Sequence, residues 1–201
     1  MSITGVVRAE MIYAGFVPRA LAQLVDLLVL TPLMVLHLAI FHGFSFSVAI
    51  ASFLALGVIG QAYPLYFHAR WGQTVGKMAA KIRVVRLDGR PLGPQRALAR
   101  SSVDILIWVA FALSMIFSMT GWSTPDWHTM SWTEHGRFLP QHVPFYRLWK
   151  GTSAAWTWSE LAVLLLNSKR RSLHDFIAGT VVIRIPGQNS RPAPAPSATR
   201  T

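Results

Sequence analysis

The stretch Pro18-Arg19-Ala20-Leu21-Ala22-Gln23-Leu24-Val25-Asp26-Leu27-Leu28-Val29-Leu30, which runs on apolar to Phe41, decides the fold. A helix of that length crosses the roughly 30 Å hydrocarbon layer of a membrane. It also carries a carboxylate to bilayer depth. Such a charge costs roughly 2.5 to 3.5 kcal/mol on insertion scales unless it is paired, hydrated or put to use. Asp26 is therefore the leading functional candidate. Arg19 lies two helical turns before it on the same face, about 10 Å away along the axis. That gap is too wide for a short ion pair, so Asp26 needs a partner on another helix or in water. Arg100 is a candidate, because it and Asp104 share a helix face near the same membrane level.

Composition points the same way. The chain has 201 residues, 52% hydrophobic and 13% charged, with a mean hydropathy of +0.39. Soluble domains carry about a quarter charged residues. The net charge of +11 is distributed beside the apolar stretches without a recognition motif. That favours orientation in a membrane and contact with anionic headgroups over nucleic acid. The absence of cysteine excludes disulfides and thiolate metal sites. Arg8 and Glu10 precede the first apolar run without a small-residue cleavage site, so that run is expected to stay as an anchor.

Four stretches qualify as spans: residues 18–41, 44–68, 101–120 and 152–167, the last one short and carrying Glu160. Pro32 and Pro64 are expected to kink the first two. Basic residues crowd the 70–100 segment and follow the fourth stretch, whereas 121–151 is nearly balanced. The positive-inside rule then predicts a four-span all-α helical bundle with both termini cytoplasmic. A small cytoplasmic β element and an amphipathic outer loop complete it. Residues 1–185 form one domain, and the Pro-, Ala- and Ser-rich tail 186–201 is expected to be disordered. The setting is a multi-pass protein of the cell membrane, the inner one if bacterial.

Within 70–100, Thr74 to Lys81 suits a short helix on the membrane surface, with Lys77, Lys81, Arg83 and Arg86 touching lipid phosphate. Ile82 to Arg86 reads as a strand followed by an Asp88-Gly89 turn, and Thr180 to Ile185 has the same character, so the two are expected to pair. The outer loop holds Trp122, Trp127, Trp132 and Trp149. Two readings are open there: amphipathic helices along the membrane surface, or an aromatic face for a partner. His128, His135 and His142 recur every seventh residue, whereas a chelating pair needs four-residue spacing. A solvated helix face, with no metal, is the expectation.

The blocks Tyr13-Ala14-Gly15-Phe16 with Arg19 and Asp26, Gly72-Gln73-Thr74-Val75-Gly76-Lys77 with Ile82-Arg83-Val84-Val85 and Asp88-Gly89, Arg100 with Asp104, and Arg171-Ser172-Leu173-His174-Asp175 with Ala178-Gly179-Thr180-Val181-Val182 stand in the order of a known family. Together they resemble the RDD family of small prokaryotic membrane proteins, named for one arginine and two aspartates. The resemblance implies that Arg19, Asp26 and Asp175 fill the name-giving positions. It also implies the role proposed in that family, transport of unidentified ligands, with sodium/proton exchange for some members. The long Trp-rich loop departs from the short family plan.

Arg19, Asp26, Arg100, Asp104, Glu160, Arg171, His174 and Asp175 are the candidate intramembrane polar set. They serve either as a clamp that locks helix ends together or as a proton or cation pathway through Asp26. Arg171 and Asp175 repeat the one-turn spacing of Arg100 and Asp104, His174 is placed to bond Asp175, and Glu160 is assigned to the outward half of its span. No catalytic or cofactor motif is recognisable. Expected partners are lipids, a second copy of the chain, or a larger membrane complex.

Overall fold

The computed structural model describes residues 12–119 and 126–185. Trp122 and the tail from 186 onward lie outside the described residues. Three helices are long and apolar enough to cross a membrane: α1 (Phe16–Gly43), α2 (Phe46–Trp71) and α4 (Pro94–Met119). Pro32 and Pro64 lie inside α1 and α2, which continue through them. Helix α4 begins at Pro94 rather than Ser101, because proline suits a first helical turn and Ala97 finds a buried place against the sheet. Helix α6 (Tyr146–Leu166) likewise begins before Thr152.

At one end of the bundle sits a two-stranded antiparallel sheet, β1 (Ile82–Arg86) with β2 (Thr180–Arg184), in the register Ile82↔Arg184 to Arg86↔Thr180. The expected pairing of these segments is therefore present. Ile82, Val84, Val181 and Val182 are buried, so the β-branched side chains that favour the strands also form their core. The residues before α1 join the same sheet: Ala14 donates its N–H to Val182 (2.8 Å) and Arg184 donates to Ile12 (2.8 Å).

Two short helices connect this sheet to the bundle. Helix α2 ends at Gly72 in the left-handed region (φ 69°), where a Cβ would press on the Val84 carbonyl at 2.5 Å. The turn allows α3 (Val75–Ala79) to fold back against α1, with the Thr74 hydroxyl accepting the Lys77 N–H at its start. Helix α7 (Leu173–Ala178) docks on α4 and runs through Gly179 into β2.

The far end is packed with aromatic rings. Trp127 opens a single 3-10 turn (Trp127–Thr129), is almost fully buried, and donates its indole N–H to the Phe41 carbonyl at 2.6 Å. That carbonyl is one of those a helix end leaves unbonded. Trp149 stacks on Phe111 with ring centres 3.9 Å apart. Trp127 is therefore not free for the membrane surface or for a partner, as the loop reading had it, whereas Trp149 stays partly exposed and Trp132, which opens α5 (Trp132–His142), is exposed. His135 is buried as well, so the expected solvated histidine face is corrected: α5 lays it against Trp127.

Candidate functional site

Asp26 projects from α1 toward α2 and α3. Its Oδ1 accepts the Tyr63 hydroxyl (2.7 Å) and the Gly76 N–H (2.7 Å), and its Oδ2 accepts the Thr74 hydroxyl (2.6 Å). The Tyr63 oxygen in turn accepts the Val75 N–H (3.1 Å). Every donor is neutral. Arg100 is not its partner, which corrects the expectation from helix level: α3 occupies that side of α1 first. The approach is so close that a Cβ on Gly76 would run into the Ala22 carbonyl oxygen and come within 2.8 Å of the Asp26 carboxyl carbon. Gly76 thus delivers its N–H where any other residue would push the helix away.

Lys77 follows directly and is also corrected. Its stem stays partly exposed, but its ammonium lies deep among protein atoms instead of at lipid phosphate. Burial, then repulsion from Arg100, pushes it down to about 8 against the pull of Asp26. Lys81 and Arg83 are exposed. The Arg83 guanidinium donates to the Gln73 amide oxygen (3.0 and 3.1 Å), and Arg86 lies 3.7 Å from Asp88.

Asp175 is the charge centre of the same end. Its Oδ2 pairs with Arg19 (2.9 Å) and accepts the Ser172 N–H (3.1 Å), while its Oδ1 pairs with Arg100 and accepts the Thr180 hydroxyl (3.0 Å). The side chain is fully buried. Burial alone would raise its pKa, but Arg100 and Arg19 outweigh that and hold it well below the usual carboxylate range. Arg19 also donates to the carbonyls of Ala14 (3.2 Å) and Arg170 (2.5 Å). One carboxylate therefore ties α1, α4, α7 and β2 together. Arg171 does not pair with the Asp175 carboxylate as its spacing suggested. It donates to the carbonyls of Thr180 (3.1 Å) and Asp175 (3.0 Å) and lies over the Phe176 ring.

His174 points away from Asp175, because adjacent helical residues do not face each other. Its Nε2 meets Asp104 Oδ2 (2.6 Å) and its Nδ1 meets Glu160 Oε2 (2.6 Å), while its N–H donates to Glu160 Oε1 (2.7 Å). Trp156 donates its indole N–H to the other Asp104 oxygen (2.9 Å). Burial opposes the imidazolium, yet the hydrogen bonds to Asp104 and Glu160 prevail and hold it up at about 9. Two expectations are corrected here. His174 reaches Asp104 and does not bond Asp175, and Glu160 lies near the C-terminal end of α6 beside α7. The early start of α6 is the reason for the last.

Sequence reading missed Tyr63, Thr74 and His68. The first two carried no signal beyond a hydroxyl in or beside a span. His68 is buried at the end of α2, close to the charges of Lys77, Arg100, Asp175 and His174, and neither of its ring nitrogens has a hydrogen-bond partner. Among the described residues no group of three or more His, Asp or Glu side chains is arranged to hold a metal ion.

The RDD family model matches residues 13–179, a range that contains every residue of this polar core except Thr180. The chain belongs to the RDD family. No curated protein and no solved structure matches it. This RDD protein is thus a membrane protein by family and by its three long apolar helices. Arg19 and Asp175, the arginine and second aspartate expected from the resemblance, form an ion pair, whereas Asp26 stands apart from both.

Proposed function

We propose that this RDD protein moves a proton or a small cation, with Asp26 as the group that carries it. The bundle has four spans, α6 being the fourth, and both termini and the sheet face the cytoplasm. The observation that carries the reading is the set of partners around Asp26: two hydroxyls and a peptide N–H, with no ion pair to it among the described residues. A carboxylate locked between guanidinium groups, as Asp175 is, has its charge already matched. Asp26 has no guanidinium beside it, and the Tyr63 and Thr74 hydroxyls can turn lone pairs toward a bound ion. Lys77 and the Asp104–His174–Glu160 group lie toward the same end of the bundle. The aromatic packing of the far end closes the other side, as a carrier open to one side at a time requires.

Gradient-driven flux in proteoliposomes tests this. Wild-type protein is expected to carry protons or sodium, and Asp26→Asn to lose that flux while keeping its fold. Equal flux in the two proteins refutes the role of Asp26. A second reading, an accessory subunit of a larger membrane complex, draws on α1, whose most apolar window has no buried residue and so offers a whole helix face. Stoichiometric co-purification of a membrane partner, with no flux under any gradient, is the result that reading expects.

A further inference from the structure

The far end of the bundle holds two imidazoles that the Asp26 site does not use. His42 closes α1, and His135 lies in α5 almost fully buried. Their ring centres are 4.7 Å apart, at 79°. His135 Nε2 bonds the Trp127 carbonyl (3.1 Å). As the only acceptor there is an oxygen, Nε2 must carry the proton, which leaves a bare lone pair on Nδ1. That Nδ1 is buried and has no hydrogen-bond partner, and the same holds for Nε2 of His42. A ring nitrogen fixed by a backbone carbonyl, with the other nitrogen left free, is the usual arrangement of a metal-binding histidine. Burying two such lone pairs without a partner is unfavourable, and a bound ion would satisfy both.

We propose that His42 and His135 bind a single monovalent soft metal ion, copper(I), at the end of the molecule opposite the sheet. Ring centres 4.7 Å apart are within reach of one ion held at about 2 Å from a nitrogen of each. The choice of ion follows from the surroundings. Phe41, Trp127 and Trp132 line the pair, and among the described residues no carboxylate joins it as a ligand. A divalent ion would place two uncompensated charges among apolar rings, whereas copper(I) brings one and accepts few, neutral donors. Met130 packs against the same aromatic group and offers a thioether, a donor that copper(I) favours. The within-helix spacing of His128, His135 and His142 gives no hint of this pair, because its second member lies in another helix.

The test is anaerobic copper(I) titration of the full chain in detergent against a chromophoric chelator. It is followed by X-ray absorption of the loaded protein. Roughly one ion per chain is expected, with imidazole nitrogens at about 2 Å. His42→Ala and His135→Ala are each expected to weaken binding at least about tenfold, and His37→Ala to leave it unchanged. Failure of the wild type to compete for copper(I), absence of imidazole scattering, wild-type affinity in either of the first two variants, or loss in His37→Ala overturns the proposal. If a variant does not fold, the titration and absorption spectrum of the wild type still decide.

Discussion

Asp175 carries two guanidinium charges at zero exposure, so its neighbours suffer most from its loss. Asp175→Asn is expected to destabilise the protein by about 3–5 kcal/mol, because Arg19 and Arg100 are left buried without a counter-charge. An unchanged thermal midpoint in detergent would refute the clamp. His174 gives a pH signature. Its pKa in the folded protein is raised from 6.5 to about 9, so its stabilisation is complete below pH 6.5 and is lost as pH climbs through 9. The wild-type midpoint should therefore fall by roughly 7–14 °C relative to His174→Gln across that range. Lys77, lowered to about 8, titrates nearby with the opposite sign, so the difference between the two proteins is the quantity to measure. At this scale Asp26, Asp104 and Glu160 were legible as charges among apolar neighbours, whereas Arg19, Arg100, His174 and Asp175 were legible through spacing and the family's motif order. Their pairings were not, since an ion pair joining positions 19 and 175 leaves no trace in local spacing.

Among the elements, α3 depends most on one position. Gly76→Ala is expected to cost about 1–3 kcal/mol, because the added methyl group must move α3 off α1, and to break the Gly76–Asp26 hydrogen bond. Hydrogen exchange at residues 74–80 should accelerate in that variant while β1 stays protected. Equal exchange would show that α3 is not held by this contact. The sheet could be read from composition, because Ile82-Arg83-Val84-Val85-Arg86 and Thr180-Val181-Val182-Ile183-Arg184 are β-branched and flanked by turns. The docking of α3 could not. Its exposed Met78 and its lysines read as a lipid-facing surface, and only the absent side chain at Gly76, a negative signal, marks the contact with α1. The far end misled for a similar reason: indole rings favour interfaces and cores alike, and the Trp127 bond to Phe41 selects the core.

For the whole molecule, the lack of native cysteine makes orientation directly measurable. Asp88→Cys, on the exposed turn after β1, is expected to react with an impermeant thiol reagent only from the cytoplasmic side. Arg137→Cys, exposed on α5, should react only from the opposite side. The reverse pattern would invert the bundle. Apolar length alone made the three long helices legible. Helix α6 falls short of that apolar length because it mixes Trp156, Trp158, Glu160 and several hydroxyls, and its amphipathic character reflects Asp104 and His174 beside it. The ion pair between Arg19 and Asp175 spans 156 positions, which bears on how the protein is made. A ribosome delivers the first helix to the translocon long before it synthesises the aspartate that will neutralise it. Nascent chains stalled before residue 175 should consequently linger with insertion chaperones or be cleared by membrane proteases. Maturation then becomes a single late closure, which only the finished carboxyl-terminal segment can trigger.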